Sequence, residues 1–123
     1  ENGSITNRRT VVAIPAGGGS PDGIALDTED KIWVALWGAH AVGRFDPETG
    51  QLLEKIEVPA PNVSSCAFGG KDLDTLYITT ARGELTEAQL AAYPLSGGLF
   101  SVKPGAKGVP AEFYRGSVGE GAE

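Results

Sequence analysis

The chain has 123 residues, about the length of one domain, with 18 glycines, 8 prolines, no methionine and a net charge of −6. That acidity argues against nucleic acid or an anionic membrane surface as partner, since both demand Lys/Arg patches, and no stretch is apolar for long enough to span a bilayer. The single cysteine, Cys66, excludes an internal disulfide and a thiolate metal cage, and its apolar surroundings predict a small buried residue.

Taken in order, the residues predict short strands separated by turns. Residues 10–14 are β-branched and read as a strand. A glycine-rich loop follows, then Pro21-Asp22-Gly23 and a short apolar strand over 23–26. Pro21 fixes the backbone before Asp22, and Gly23 permits a tight bend after it. Residues 27–31 form a polar turn. Residues 32–37 are nearly all apolar, as in a strand buried on both faces. A turn at 38–40 and a strand at 41–45 come next. Asp46-Pro47-Glu48-Thr49-Gly50 is a strong turn signal, and 51–58 alternates as an exposed, charged edge strand should.

The cycle then restarts. Residues 63–68 match 23–26, 76–80 match 32–36, and 98–102 match 41–45. Residues 111–114 read as a last strand, with a frayed tail from Gly116. An insertion at 81–96 interrupts the second cycle. Within it Thr86 and Gln89 make a capping-box pattern ahead of helix formers, predicting a short helix near 84–93. Four short antiparallel strands recurring every 40–45 residues are the pattern of a β-propeller blade. The expected architecture is all-β: one blade over 16–58, the next over 59–115, and part of a third. A small open β-sandwich is the alternative. Blades left open at both ends predict apolar surface at Trp33, Val34, Leu36, Tyr77 and Ile78, hence instability, self-association or a partner carrying the missing propeller half.

The ordered motifs resemble the senescence marker protein-30/gluconolactonase/luciferin-regenerating-enzyme family. They include residues 3–9, Pro21-Asp22-Gly23 with 24–27, residues 32–35, and Arg44-Phe45-Asp46-Pro47 with Gly50. Residues 65–70, 76–82, Pro94 and Gly97-Gly98 continue the series. The resemblance implies a six-bladed propeller with one divalent ion, Ca²⁺, Zn²⁺, Mn²⁺ or Mg²⁺, at the top of its channel. It implies hydrolysis of sugar lactones, with this chain as the C-terminal two-fifths. It also implies that Asp22 is a metal ligand, and that a glutamate and an asparagine ligand lie upstream of Glu1.

From the residues alone, Asp22 is either a turn aspartate before glycine or a carboxylate aimed off a strand end. In lactone hydrolysis a cation polarises the carbonyl and a carboxylate takes a proton from water, so Asp22 suits ligand, base or both. Asp27, Glu29 and Asp30 lack EF-hand spacing and read as a solvated turn, as do Asp72 and Asp74. Trp37, His40, Ser64 and Arg82 are expected at the same mouth as Asp22. Trp37 has the face to stack on a sugar ring and Arg82 the charge to bind an acidic group, whereas His40 also reads as a solvated loop residue. Ser64 occupies the place of Asp22 in the second cycle. Trp33 is expected in the core between blades. No signal peptide precedes residue 5, so a cytoplasmic setting is expected. The second functional reading is a non-catalytic propeller fragment serving as a structural or interaction module.

Overall fold

A computed structural model describes residues 2–116. The first four-stranded unit runs β1 (Ser20–Leu26), β2 (Ile32–Trp37), β3 (Ala41–Phe45) and β4 (Leu52–Glu57), each antiparallel to the one before. The second runs β5 (Asn62–Gly69), β6 (Thr75–Ala81), helix α1 (Glu87–Ala92) and β7 (Leu99–Val102). One backbone bridge, Trp37 to Asn62, joins β2 to β5, and a second pairs Asp27 with Gly108 beyond β7. Strands β1 and β5 share no ladder, as two inner strands of adjacent propeller blades should not. They meet instead by close packing, because a Cβ on Gly23 would collide with Ser65.

Turn chemistry sets the strand ends. Asp46 accepts the Gly50 N–H through its carbonyl at 2.7 Å and the Glu48 N–H through its side chain at 3.0 Å, and Gly50 supplies φ +74°. The blades bury a common core of Trp33, Ala35, Val42 and Val58 against Val63, Cys66, Leu76 and Ile78. Trp33 also meets Phe68 edge-on, with ring centres 5.7 Å apart.

The far face of the first blade, Val34, Leu36, Ala41 and Phe45, is covered by Val12 and Ile14. That corrects two expectations. Residues 10–14 form no strand; they lie as a cover over the blade face, where no ladder partner is available. Val34 and Leu36 are therefore buried, Trp33 and Ile78 are buried between the blades, and only Tyr77 of the five is exposed. The most exposed large apolar residues of the strands are Ile24 (61%) on the first blade and Leu99 (68%) on the second. Residues 111–114 are exposed and form no strand either. The tail beyond Gly116 lies outside the described residues.

The acidic turn after β1 is the largest local surprise. Asp27 is 1% exposed, not solvated. Its carboxylate accepts from Trp33 Nε1 at 2.9 Å, Arg44 Nε at 2.8 Å, and the backbone N–H groups of Glu29 and Lys31. Burial pushes the Asp27 carboxyl up, but these four donors outweigh it and hold it below the ordinary aspartate range. Glu29, exposed, takes the other arm of Arg44, and Arg44 lies over the Trp33 ring. Asp74, in the matching turn, pairs with Lys103 at the surface.

Candidate functional site

Antiparallel pairing places the β1 and β5 starts, the β2 and β6 ends and the β3 and β7 starts at one end of the molecule. That end carries Asp22, Trp37, His40, Ser64 and Arg82. Asp22 lies inside β1, not before it. Pro21 faces Leu36 and Ile24 faces Val34, so Asp22 and Gly23 together oppose Ala35. That is a β-bulge, which leaves a residue out of the ladder and re-aims its side chain. The same device recurs in β5, where Val63 faces Thr80, Ser65 faces Thr79, and Ser64 is the extra residue.

The two bulges carry different chemistry. Asp22 is exposed, and none of the ion pairs among the described residues engages it. Ser64 is half-buried and shares a 2.9 Å hydrogen bond with the Thr79 hydroxyl. Trp37 is half-buried and opposes Ser20, two residues before Asp22. Arg82 is exposed and reaches the Ser96 carbonyl at 3.4 Å through Nη1.

His40 holds a left-handed φ of +56° in the turn after Gly38 (φ +83°). The N–H groups of Gly38 and His40 both donate to the Pro61 carbonyl, at 3.0 and 3.1 Å, and the His40 carbonyl accepts from Val58 N–H at 2.7 Å. The turn is thus fastened to the entry of the second blade. Its imidazole packs against the Tyr93 ring, centres 4.7 Å apart and planes tilted 55°. His40 also lines a cleft of about 510 Å³ with Ile14, Gly18, Phe45 and Lys55. Asp22, Trp37, Ser64 and Arg82 do not line that cleft. The cleft follows the cover segment along the outer strands of the first blade, so it is separate from the Asp22 end of β1.

Two residues at this end escape sequence reasoning. Asn62 is buried and donates Nδ2 to the Gly83 carbonyl at 2.9 Å, tying the β5 entry to the insertion. Its position after Pro61, just before an apolar run, was the available signal. Tyr93 carried none, since its partner His40 lies 53 residues away in sequence.

A divalent ion needs about four to eight ligands. Asp22 offers one carboxylate. Among the described residues, no three His, Cys, Asp or Glu side chains converge to hold an ion. These residues do not by themselves fit a complete metal site. Cys66 is no substitute: its thiol is buried between the blades, its Sγ lies 3.7 Å from the Trp33 carbonyl, and burial pushes it up to about 11. No described helix is long and apolar enough to cross a membrane.

A family model described as the SMP-30/gluconolactonase/LRE-like region matches residues 1–82. Regucalcin of Danio rerio is 43% identical over 117 residues, 94% of this chain and 40% of the relative. YvrE of Bacillus subtilis, provisionally named a sugar lactone lactonase, is 42% identical over 103 residues, 84% of this chain and 35% of the relative. Among solved structures, a calcium-binding regucalcin from Agrobacterium tumefaciens superposes with a TM-score of 0.80 at 33% identity. It covers 87% of this chain and 36% of that one. A luciferin-regenerating enzyme superposes with a TM-score of 0.74 at 32% identity, covering 86% and 36%. The chain spans about two-fifths of the length of the curated relatives it matches.

Proposed function

The chain belongs to the SMP-30/gluconolactonase/LRE-like family, a propeller of which it supplies about two blades and part of a third, and from that premise we propose that it is part of a sugar-lactone hydrolase. The observation that carries the reading is Asp22, an exposed carboxylate held in a bulge at the mouth end of an inner strand. A carboxylate there has two uses: to ligate a cation, or to take a proton from the water that attacks the lactone carbonyl. A divalent ion, when bound, supplies Lewis acidity toward that carbonyl. Asp22 is one ligand for it, and the others must come from outside the described residues. Trp37 and Arg82 flank the approach, the first with an aromatic face and the second with an unburied charge. Ser64, hydrogen-bonded to the Thr79 hydroxyl, is a pocket candidate at the same end.

The test is Asp22→Ala in the complete propeller. Turnover of aldonolactones should fall by at least about a hundredfold, the scale of losing a general base. Stability should change by no more than about 0.5 kcal/mol, because the side chain is exposed. Wild-type turnover in the variant would reduce Asp22 to a turn residue. Divalent-ion affinity by calorimetry should fall with activity, which separates the ligand role from the purely basic one. The second reading, a structural or interaction module, is favoured by the absence of a converging ligand set among the described residues. It predicts no turnover in the complete propeller either.

A further inference from the structure

The two blades are not finished alike. The first has four strands, and its outermost, β4, carries Glu54, Lys55 and Glu57 along the edge. Charges of that kind keep an open edge from pairing. The second has three strands, and its outermost, β7, is Leu99-Phe100-Ser101-Val102, with no charge. Strand β7 ends the sheet, so its outer edge has no ladder. The chain does not turn back to fill that place. After Val102 it bends at Gly105 (φ +89°) and crosses to the far end of β1. There the Lys107 carbonyl accepts the Thr28 N–H at 2.8 Å, and the Gly108 N–H donates to the Leu73 carbonyl at 2.8 Å. Ala106 is buried in the shared core, and a Cβ on Gly108 would collide with Phe68. That segment is committed to the base of the blades, and residues 110–116 form no strand. In the first blade β4 pairs Ile56 with Val42 and packs it on the shared core. Beside β7 the described residues offer no counterpart. A groove of about 240 Å³ lies there instead, with Ile56, Val58 and Pro59 on one side and Ile78, Phe100 and Val102 on the other.

We propose that the edge of β7 is the seat of a strand supplied by the rest of the complete propeller, which runs antiparallel to β7 and turns alternate apolar side chains into this groove. Strand addition draws its affinity from main-chain hydrogen bonds and its selectivity from pockets for alternate side chains, and the bare edge and the groove supply both. The source follows from length. The chain spans about two-fifths of the curated relatives it matches, so most of the complete propeller lies outside it. A second copy is the poorer occupant. Strand β7 against its own copy would rest on four residues a side, far short of the ~20–30 that a stable interface uses. This fastening is independent of whether the protein hydrolyses lactones.

The experiment is residue-resolved amide hydrogen exchange on the complete propeller, with β4 as the internal reference. Alternate amides of β4 point outward and should exchange at near-intrinsic rates. Every amide from Leu99 to Val102 should be slowed by at least about a hundredfold, as in a strand with ladders on both sides. That protection should not change with protein concentration. Cross-strand contacts from Ser101 in NMR spectra should lead to a residue of the same molecule outside 1–123. Alternate β7 amides that exchange as fast as those of β4 overturn the added strand. Contacts that return to residues 1–123 overturn its source. Protection that rises with concentration, together with a dimer in ultracentrifugation, assigns the edge to a second copy and overturns the source as well.

Discussion

The two blades share a backbone cycle and differ in how they are fastened. Where the first blade has Asp27, Trp33 and Arg44, the registers put Gly69, Tyr77 and Ser101 in the second. The first set is a buried carboxylate gripped by an indole and a guanidinium. The second is a glycine against which the Tyr77 ring lies, because a Cβ there would meet the ring edge. Trp33 faces the neighbouring blade and is fully buried, whereas Tyr77 faces away and is 40% exposed. Identical pleating therefore does not dictate identical locking. The lock is placed where a neighbour covers it, since a buried ion pair needs complete satisfaction and a surface one needs little.

The largest test of that contrast is truncation at the equivalent aromatics. Trp33→Ala should cost about 3–5 kcal/mol, as for other fully buried aromatics, with an added penalty because Asp27 Oδ2 keeps only its Arg44 donor. Tyr77→Ala should cost less than about 1 kcal/mol, since much of its ring is already in water. Urea unfolding of both variants checks this. Equal losses would mean that Tyr77 is covered in solution, as a third blade or a second copy would cover it.

Removing the cation comes next. Arg44→Ala leaves a buried carboxylate short of a donor and should cost about 3 kcal/mol, the lower end for a broken buried pair because Trp33 and two backbone groups remain. The lock also has a pH signature. Asp27 is held below its unfolded value of about 3.9, so its contribution is complete above that pH and fades as pH falls through the lower folded value. Thermal unfolding between about pH 5 and 2 should fall steeply in wild type and less so in Asp27→Asn. Asp46 and Asp74 are also held low, Asp46 by the Glu48 N–H and Asp74 by Lys103, so a shallower slope should remain.

The inner strands give a smaller effect. Gly23→Ala forces a methyl into Ser65 and should cost about 1–3 kcal/mol, with partial rescue by Ser65→Gly, because the strain lies in that one approach. Gly38→Ala, with open space but φ +83°, tests conformational strain without the collision.

Much of this was legible in the residues. The apolar run at 32–37, the Asp-Pro-Glu-Thr-Gly turn and the capping box each encode their structure locally, so strand order and helix follow from the sequence. Cys66 and Trp33 were legible as core because their neighbours are apolar. Asp27 was not. Its burial depends on Arg44, seventeen residues on, and an aspartate beside Thr28, Glu29 and Asp30 carries the composition of a solvated turn. Residues 10–14 misled for the same kind of reason: β-branched residues favour extended backbone, but a strand also needs a ladder partner. Pro21 and Gly23 marked Asp22 as a candidate at the β1 start. The bulge that releases it was not marked, because register is a property of two strands and not of one.

The smallest expected effect closes the comparison. Lys103 and Asp74 pair at 3.1 Å at the corresponding turn of the second blade, but the Lys103 side chain is largely exposed. Water at that surface screens the attraction, and the long lysine chain loses rotamer freedom to hold one geometry. Lys103→Met should therefore shift stability by no more than about 0.5 kcal/mol, and added salt should erase what difference there is. The Asp27–Arg44 pair, walled by Trp33, should keep most of its effect in the same salt. A double-mutant cycle at each pair, run at low and high ionic strength, measures both couplings. If the Asp74–Lys103 coupling matches that of Asp27 and Arg44, and survives salt equally, then burial is not what separates the two locks. The second blade's outer face would then have to be covered in solution, and the argument from exposure would fail at its root.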